Sequence, residues 1–292
     1  MPGESRLPPA VTVGGQAVRE GVMMRGPSAW AVALRTPAGE IAVHRFEHVP
    51  WVARHGLLRL PFVRGLVALA EALSIGGHAL ALSVAAARGT PARGVPRAGL
   101  ALALGLVIAG FFVAPAAVAR GLGQGVLVEA AVRLALFLGY LALLARRPGM
   151  RRLLEYHGAE HKAVACHEAG RPLTPADAQG FPRVHPRCGT SFLGLVLIVA
   201  CLILLPLGQL AWGWLLTTRA LAAPVAAALA FELVRWAVRT RAQRLLAPLV
   251  VLQRFTTREP DREQLRVAIA ALQAVLAAGG TASEPAGLEV AA

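Results

Sequence analysis

The segment Tyr156–Gly170, YHGAEHKAVACHEAG, gathers three histidines, two glutamates, a cysteine and the chain's single lysine, Lys162. His157 and His161 are four residues apart. On a helix that spacing puts both imidazoles on one face, about 6 Å apart along the axis, close enough to grip one ion. Glu160 stands immediately before His161, so the order is His-x-x-Glu-His. Such an order offers two imidazole ligands and a carboxylate that can take a proton from a water activated by the metal. A second pair of soft donors, His185 and Cys188, lies around a proline in HPRCGTSF, His185–Phe192. Imidazole and thiolate donors together suit a divalent ion, zinc above all.

The positioning element for the first pair is a helix. Arg151–Ala169 has a helical pattern, and Gly170 followed by Arg-Pro is a stop signal. Glu168 falls on the face of His157 and His161, but on a straight helix it is about 10 Å beyond His161. That is too far for a shared ion, so Glu168 is expected to support a ligand or face a substrate. The missing ligands should then come from His185 or Cys188. His167 and Cys166 point away from the stripe and read as structural. Lys162 and Arg25 are the candidate cations for steadying a developing negative charge.

The surrounding chain is apolar. Its 292 residues are 56% hydrophobic, with a mean hydropathy of +0.56; this is too oily for an ordinary soluble domain and points to a lipid bilayer as partner. The net charge of +14 comes almost wholly from arginine. No dense basic run is interleaved with aromatics, so no nucleic-acid partner is expected. Cys166, Cys188 and Cys201 are irregularly spaced, and the opening MPGESRLPPAVTVGG has no apolar signal core; a reducing, cytoplasmic setting is expected for the cysteines.

Four stretches reach the roughly 20 residues that a bilayer-crossing helix needs: Ala98–Ala119, Val126–Ala145, Ser191–Ala211 and Ala220–Val238. Arginines cluster on one side of them, at 88, 93, 97, 146, 147, 151, 152, 239, 241 and 244, whereas the connections Arg120–Gly125 and Trp212–Arg219 hold one each. The positive-inside rule makes the arginine-rich side cytoplasmic. Within Pro61–Ala87, Arg64, Glu71 and His78 recur every seven residues and draw a polar stripe down one helical face. This suits a helix lying on the membrane or packed on the bundle, with a fifth span as the alternative. Glu129 with Arg133, and Glu232 with Arg235, read as helix-packing pairs near span ends.

The N-terminal region reads as β. Ala29–Arg35 and Glu40–Phe46 are strand-like, joined by the turn residues TPAG. The Gly-rich VGGQAVREGVMMRGP ahead of them matches no phosphate-binding fingerprint and reads as a close-packed β-turn region. After the last span Arg241–Phe255 is basic and amphipathic. Asp261 and Gln264 then form a capping-box start for a helix running to about Ala277.

The expected fold is therefore mainly α: a multi-span helical membrane protein with a small, cytoplasmic, β-rich N-terminal region. Residues 1–60 form the Gly-rich β region and 61–87 an interfacial or membrane-associated helix. Residues 98–145 form a first transmembrane hairpin, 146–190 the metal-site helix and loop, and 191–238 a second hairpin. Residues 239–278 form cytoplasmic amphipathic helices and 279–292 a disordered tail. Both termini and the 146–190 loop face the cytoplasm of a bacterial inner membrane.

Four motifs in this order, VGGQAVREGVMMRGP, YHGAEHK, HPRCGTSF and QRFTTREPDREQLRVAIAAL, resemble the YqhQ-like family of bacterial membrane proteins, a domain of unknown function described as predicted metal-dependent enzymes. The resemblance spans nearly the whole chain. It implies a multi-span membrane protein with a cytoplasmic metal site at His157, Glu160, His161, His185 and Cys188, and it implies that Glu20 and Arg25 matter. It supplies no substrate.

The leading expectation is a metal-dependent hydrolase at the inner membrane face, with Glu160 as general base and a peptide or amide bond as target, a lipid-linked or phosphorylated substrate being the alternative. The alternative is a non-enzymatic scaffold or sensor. Four protein ligands would close the coordination sphere, as in structural zinc sites; three leave the open position that catalysis needs.

Overall fold

The computed structural model describes residues 13–91, 94, 97–208, 210–240 and 242–277. The expected disordered tail, and Arg93 and Arg241 of the arginine-rich side, lie outside the described residues. The described chain is mainly helical with one small antiparallel sheet. Strands β1 (Gly14–Val18), β2 (Gly21–Arg25), β3 (Ala29–Arg35) and β4 (Ile41–Glu47) pair in sequence order. The Gly-rich stretch thus builds a hairpin, in which Val18 faces Gly21 across the turn Arg19–Glu20. Glu20 holds the left-handed φ of +52° that this tight turn demands.

Seven longer helices follow. They are α1 (Val63–Arg88), α2 (Arg97–Ile108, a π-turn at Ala109–Val113, then Ala114–Gly121), α3 (Val126–Arg146), α4 (Arg151–Glu168), α5 (Gly189–Leu204), α6 (Trp212–Arg239) and α7 (Arg262–Leu276). A 3-10 stretch, Gln243–Leu252, and a single turn, Gln253–Thr256, link α6 to α7. The capping box at Asp261 and Gln264 forms as expected. Trp212–Arg219, expected as a connection, is instead the start of α6. The chain turns at Gly208, whose φ is +58°, and α6 begins at Trp212.

The period-two pattern of the strands divides the sheet between two cores. Val22, Met24, Ala31 and Ala33 pack with Tyr156, Ala159 and Ala163 of α4 and with Leu265, Ala268 and Leu272 of α7. Met23, Trp30, Val32 and Leu34 face the other way, onto Ile75 and Ala79 of α1. A third core is the helix bundle, where Phe137, Leu197, Ala200, Ala226 and their neighbours meet. The bundle's outer surface is apolar too: Leu102, Leu106, Leu127, Leu202, Leu221 and Trp214 are all exposed.

Among the described residues, five helices are long and apolar enough to cross a membrane: α1, α2, α3, α5 with its 3-10 extension, and α6. The heptad stripe of α1 is a contact face. Arg64 pairs with Glu232 of α6, the buried Glu71 accepts from Arg25 and from the Trp51 backbone N–H, and the exposed His78 sits edge-on to Trp30. By this stripe α1 docks on both the sheet and the bundle. The expected pairing of Glu232 with Arg235 does not form. Glu232 joins Arg64 instead, and Arg235 lies over the Phe231 ring.

Glu129 and Arg133 do pair, at 2.7 Å, and Arg219 of α6 joins them at 2.8 Å, all three fully buried. Pro115 accounts for part of this network. A proline cannot donate to the carbonyl four residues back, here Phe111. Arg133 Nε donates to that carbonyl at 2.9 Å.

Candidate metal site

The helix α4 carries His157 and His161 one turn apart, and their rings lie 4.5 Å between centroids. Each ring is oriented through Nδ1 by a backbone carbonyl. His157 Nδ1 is 2.7 Å from Thr256 O, and His161 Nδ1 is 2.7 Å from Arg183 O. A carbonyl can only accept, so both imidazoles carry their proton on Nδ1 and leave Nε2 as a bare donor atom. Metal-binding histidines are held in this way. Cys188 completes the group. Its Sγ is 3.3 Å from His157 Nε2, and one ligand atom from each of the three residues lies within 4.8 Å of the others.

Donor atoms 2.0–2.3 Å from a zinc ion lie roughly 3.3–3.8 Å from one another. The three donors therefore fit such an ion after small side-chain adjustments. Cys188 is also the N-cap of α5, where its Sγ accepts from the Thr190 N–H. The unpaired N–H groups of a helix N-terminus favour negative charge on that sulfur. Burial pushes the His161 imidazole below its ordinary value, which keeps it neutral and able to ligate.

Glu160 is buried beside the cluster. Burial pushes its carboxyl above the ordinary value, against the opposing pull of His157, His185 and the Gly15 N–H. That N–H reaches Glu160 because position 15 is glycine. A Cβ there would lie 2.8 Å from Glu160 Cγ and 2.7 Å from Met23 O. Gly158 serves the opposite side of α4. A Cβ on it would come within 2.1 Å of Arg258 O, so glycine lets the 253–260 segment lie against the helix.

His185 lies beside the cluster, its ring 5.9 Å from that of His161, but its nitrogens are not among the three converging donors. Both its ring nitrogens are engaged elsewhere, Nε2 with Glu168 at 3.0 Å and Nδ1 with the Arg187 N–H at 3.3 Å. Gln253 clamps its backbone, accepting from His185 N at 2.8 Å and donating to His185 O at 2.7 Å. Glu168 meets His185 and Arg187. Lys162 points away from the cluster, to Gln179 O at 2.8 Å and Glu259 at 2.6 Å. Arg25 pairs with Glu71 and His48 and lines a cavity together with Gly14 and Gly15. Glu20 forms a two-point pair with Arg152 at the start of α4, tying the β1–β2 turn to the site helix. Cys166 donates to Pro172 O.

Spacing did not reveal the carbonyls of Thr256 and Arg183 or the Gln253 clamp, since a backbone acceptor carries no residue signature. The motif QRFTTREP does contain two of these positions.

With that geometry in view, the family match is informative. The family model described as "Protein of unknown function (DUF1385)" matches residues 60–278. The chain belongs to this family. The matched residues contain every donor of the cluster, whereas the sheet with Gly15 and Arg25 precedes them. The uncharacterized protein YqhQ of Bacillus subtilis (strain 168) is 31% identical over 93% of this chain and 93% of its own length. No solved structure matches.

Proposed function

We propose that this protein is a metal-dependent hydrolase at the cytoplasmic face of the bacterial inner membrane, acting on a peptide or amide bond. One observation carries the reading. His157, His161 and Cys188 converge on one another, while both ring nitrogens of His185 are held by other partners. Three protein ligands leave the open position that catalytic zinc sites keep.

A divalent ion bound there supplies Lewis-acid polarisation and water activation. The chain's own groups do the rest. Thr256 O and Arg183 O fix the two imidazoles, and the Gly15 N–H holds the Glu160 carboxylate in place. Glu160 takes the proton of the attacking water at a carboxylate oxygen and returns it to the leaving amine. Arg25 stands across the Gly15 cavity as the cation for a developing negative charge. Lys162 is engaged by Glu259 and drops out of that role.

The membrane arrangement rests on parity. The sheet and α4 share one core, so they lie on the same side of a bilayer and an even number of crossings separates them. Of α1, α2 and α3, then, two cross and one does not. The helix α1, whose one half packs on the sheet and whose other half packs on α6, is the one that stays at the interface. In this reading α2, α3, α5 and α6 cross, and the arginine-rich ends favour a cytoplasmic side for the sheet, α4 and α7.

Elemental analysis of the purified full chain should find about one zinc per chain. Glu160→Gln should keep that metal and lose about 10²–10⁴-fold in rate, read as failure to complement a deletion strain. Full complementation by Glu160→Gln, together with proteolytic collapse of the 146–190 loop in Cys188→Ala, would replace the hydrolase by a zinc-locked scaffold.

A further inference from the structure

Two cavities flank the metal cluster and meet at Ala72 of α1, which lines both. One, of about 500 Å³, lies on the sheet side and is walled by Gly14, Gly15, Gln16 and Arg25. The other, of about 390 Å³, runs between α1, the start of α5, the end of α6 and the 243–252 stretch. Its walls include Ala68, Leu69, Leu195, Phe231 and Leu249, and Cys188 stands at its end. Cys188 therefore lines the slot, and Gly15, which lies against Glu160, lines the chamber that holds Arg25.

The slot offers a peptide backbone few partners. Away from the Pro186–Ser191 end its walls are apolar side chains on helices. Its serine, Ser191, already donates to Leu249 O at 3.2 Å and accepts from Gln253 at 2.8 Å. A peptide's amides would be buried there against apolar side chains, which costs free energy. An alkyl chain brings no such groups. The chamber differs in carrying a guanidinium, that of Arg25. Arg25 uses only Nη2 for both Glu71 and His48; among the described residues, its Nε and Nη1 have no hydrogen-bond partner. A guanidinium so held offers two donors to an anionic or acyl oxygen. Arg187 adds a cation where the slot opens.

We infer that the substrate is an anionic amphiphile with a single aliphatic chain, drawn from the bilayer with its chain in the α1–α5–α6 slot and its polar head in the Arg25 chamber. The amide bond to be cleaved then lies at the head–chain junction, beside Glu160 and Cys188. This rests on the proposed hydrolase and names its substrate class.

The full chain would be placed in phosphatidylcholine vesicles with a long-chain fatty acid carrying a terminal diazirine, irradiated, and the labelled residues mapped by mass spectrometry. Label is expected on Leu69, Leu195 and Leu249, and at least a tenfold loss of it is expected in Ala68→Trp, which fills the slot. Ala72→Phe, at the other end, should give the same loss and guards against misfolding of a single variant; retained zinc and an unchanged melting temperature report an intact fold. Label confined to the bundle's outer leucines, Leu202 and Leu221, would overturn the inference. So would label that an apolar peptide displaces but unlabelled palmitate does not. Labelling needs no metal, so His157→Ala should still be labelled. Slot labelling without zinc in the native chain would sink the hydrolase alone, and zinc without slot labelling would sink the amphiphile alone.

Discussion

The helix bundle and the sheet-capped unit both bury ionisable side chains, and they treat them in opposite ways. In the bundle, Glu129 receives Arg133 and Arg219, and the two guanidiniums go on to donate to Phe111 O and Gly208 O. The groups close on one another and lock α2, α3 and α6. In the other unit, the Nδ1 atoms of His157 and His161 are tied while both Nε2 atoms and the Cys188 sulfur face one point. Buried polarity that is fully paired serves architecture; buried polarity held in place with donor atoms to spare is a site. Lys162 illustrates the rule. It sits inside the richest motif of the chain, yet its pairing with Gln179 and Glu259 makes it a strut.

The largest expected effect separates the two kinds within one loop. His157→Ala and His161→Ala should each abolish stoichiometric metal, because adjacent-turn imidazoles chelate together. His185→Ala should retain it, and elemental analysis of the three variants decides. Loss of metal in His185→Ala with retention in His157→Ala would invert the assignment of the donors.

The bundle network comes next. Glu129→Gln leaves two guanidiniums facing each other without their carboxylate, and breaking a buried ion group in this way costs roughly 3–5 kcal/mol. The melting temperature of the purified chain should fall markedly while zinc content per folded chain stays unchanged. A parallel loss of zinc would show that the two regions are coupled and blur the contrast.

The smallest effect is a pH dependence at the junction of α1 and the sheet. Burial, helped by Arg25, holds His48 below its ordinary histidine value, against the pull of Glu71. On acidification the unfolded chain takes up this proton first. The contribution to stability is therefore complete above the ordinary value of about 6.5 and is lost as pH falls toward the lower folded value. Thermal melts at pH 7.5 and at about pH 5.5 should differ less in His48→Gln than in the native chain. An unchanged difference would place the pH sensitivity elsewhere.

Local chemistry fixed much of this protein before folding. Apolar length set the helices, strand alternation with turn residues set β3 and β4, and Asp261 with Gln264 capped α7. The four-residue spacing of His157 and His161 put two imidazoles on one face whatever else the chain did, because the helical repeat is a local property. The third donor was not local. His185 and Cys188 were equal candidates by type and spacing. The route of the loop over Gln253 turned His185 toward Glu168 and delivered Cys188 to His157, 31 residues away. In the same way, Glu232 had Arg235 within reach on its own helix and paired with Arg64, 168 residues distant. Contacts within a helix follow from its repeat. Contacts between elements depend on which faces the apolar cores bring together, and that was decided only when the sheet, α1 and the bundle packed.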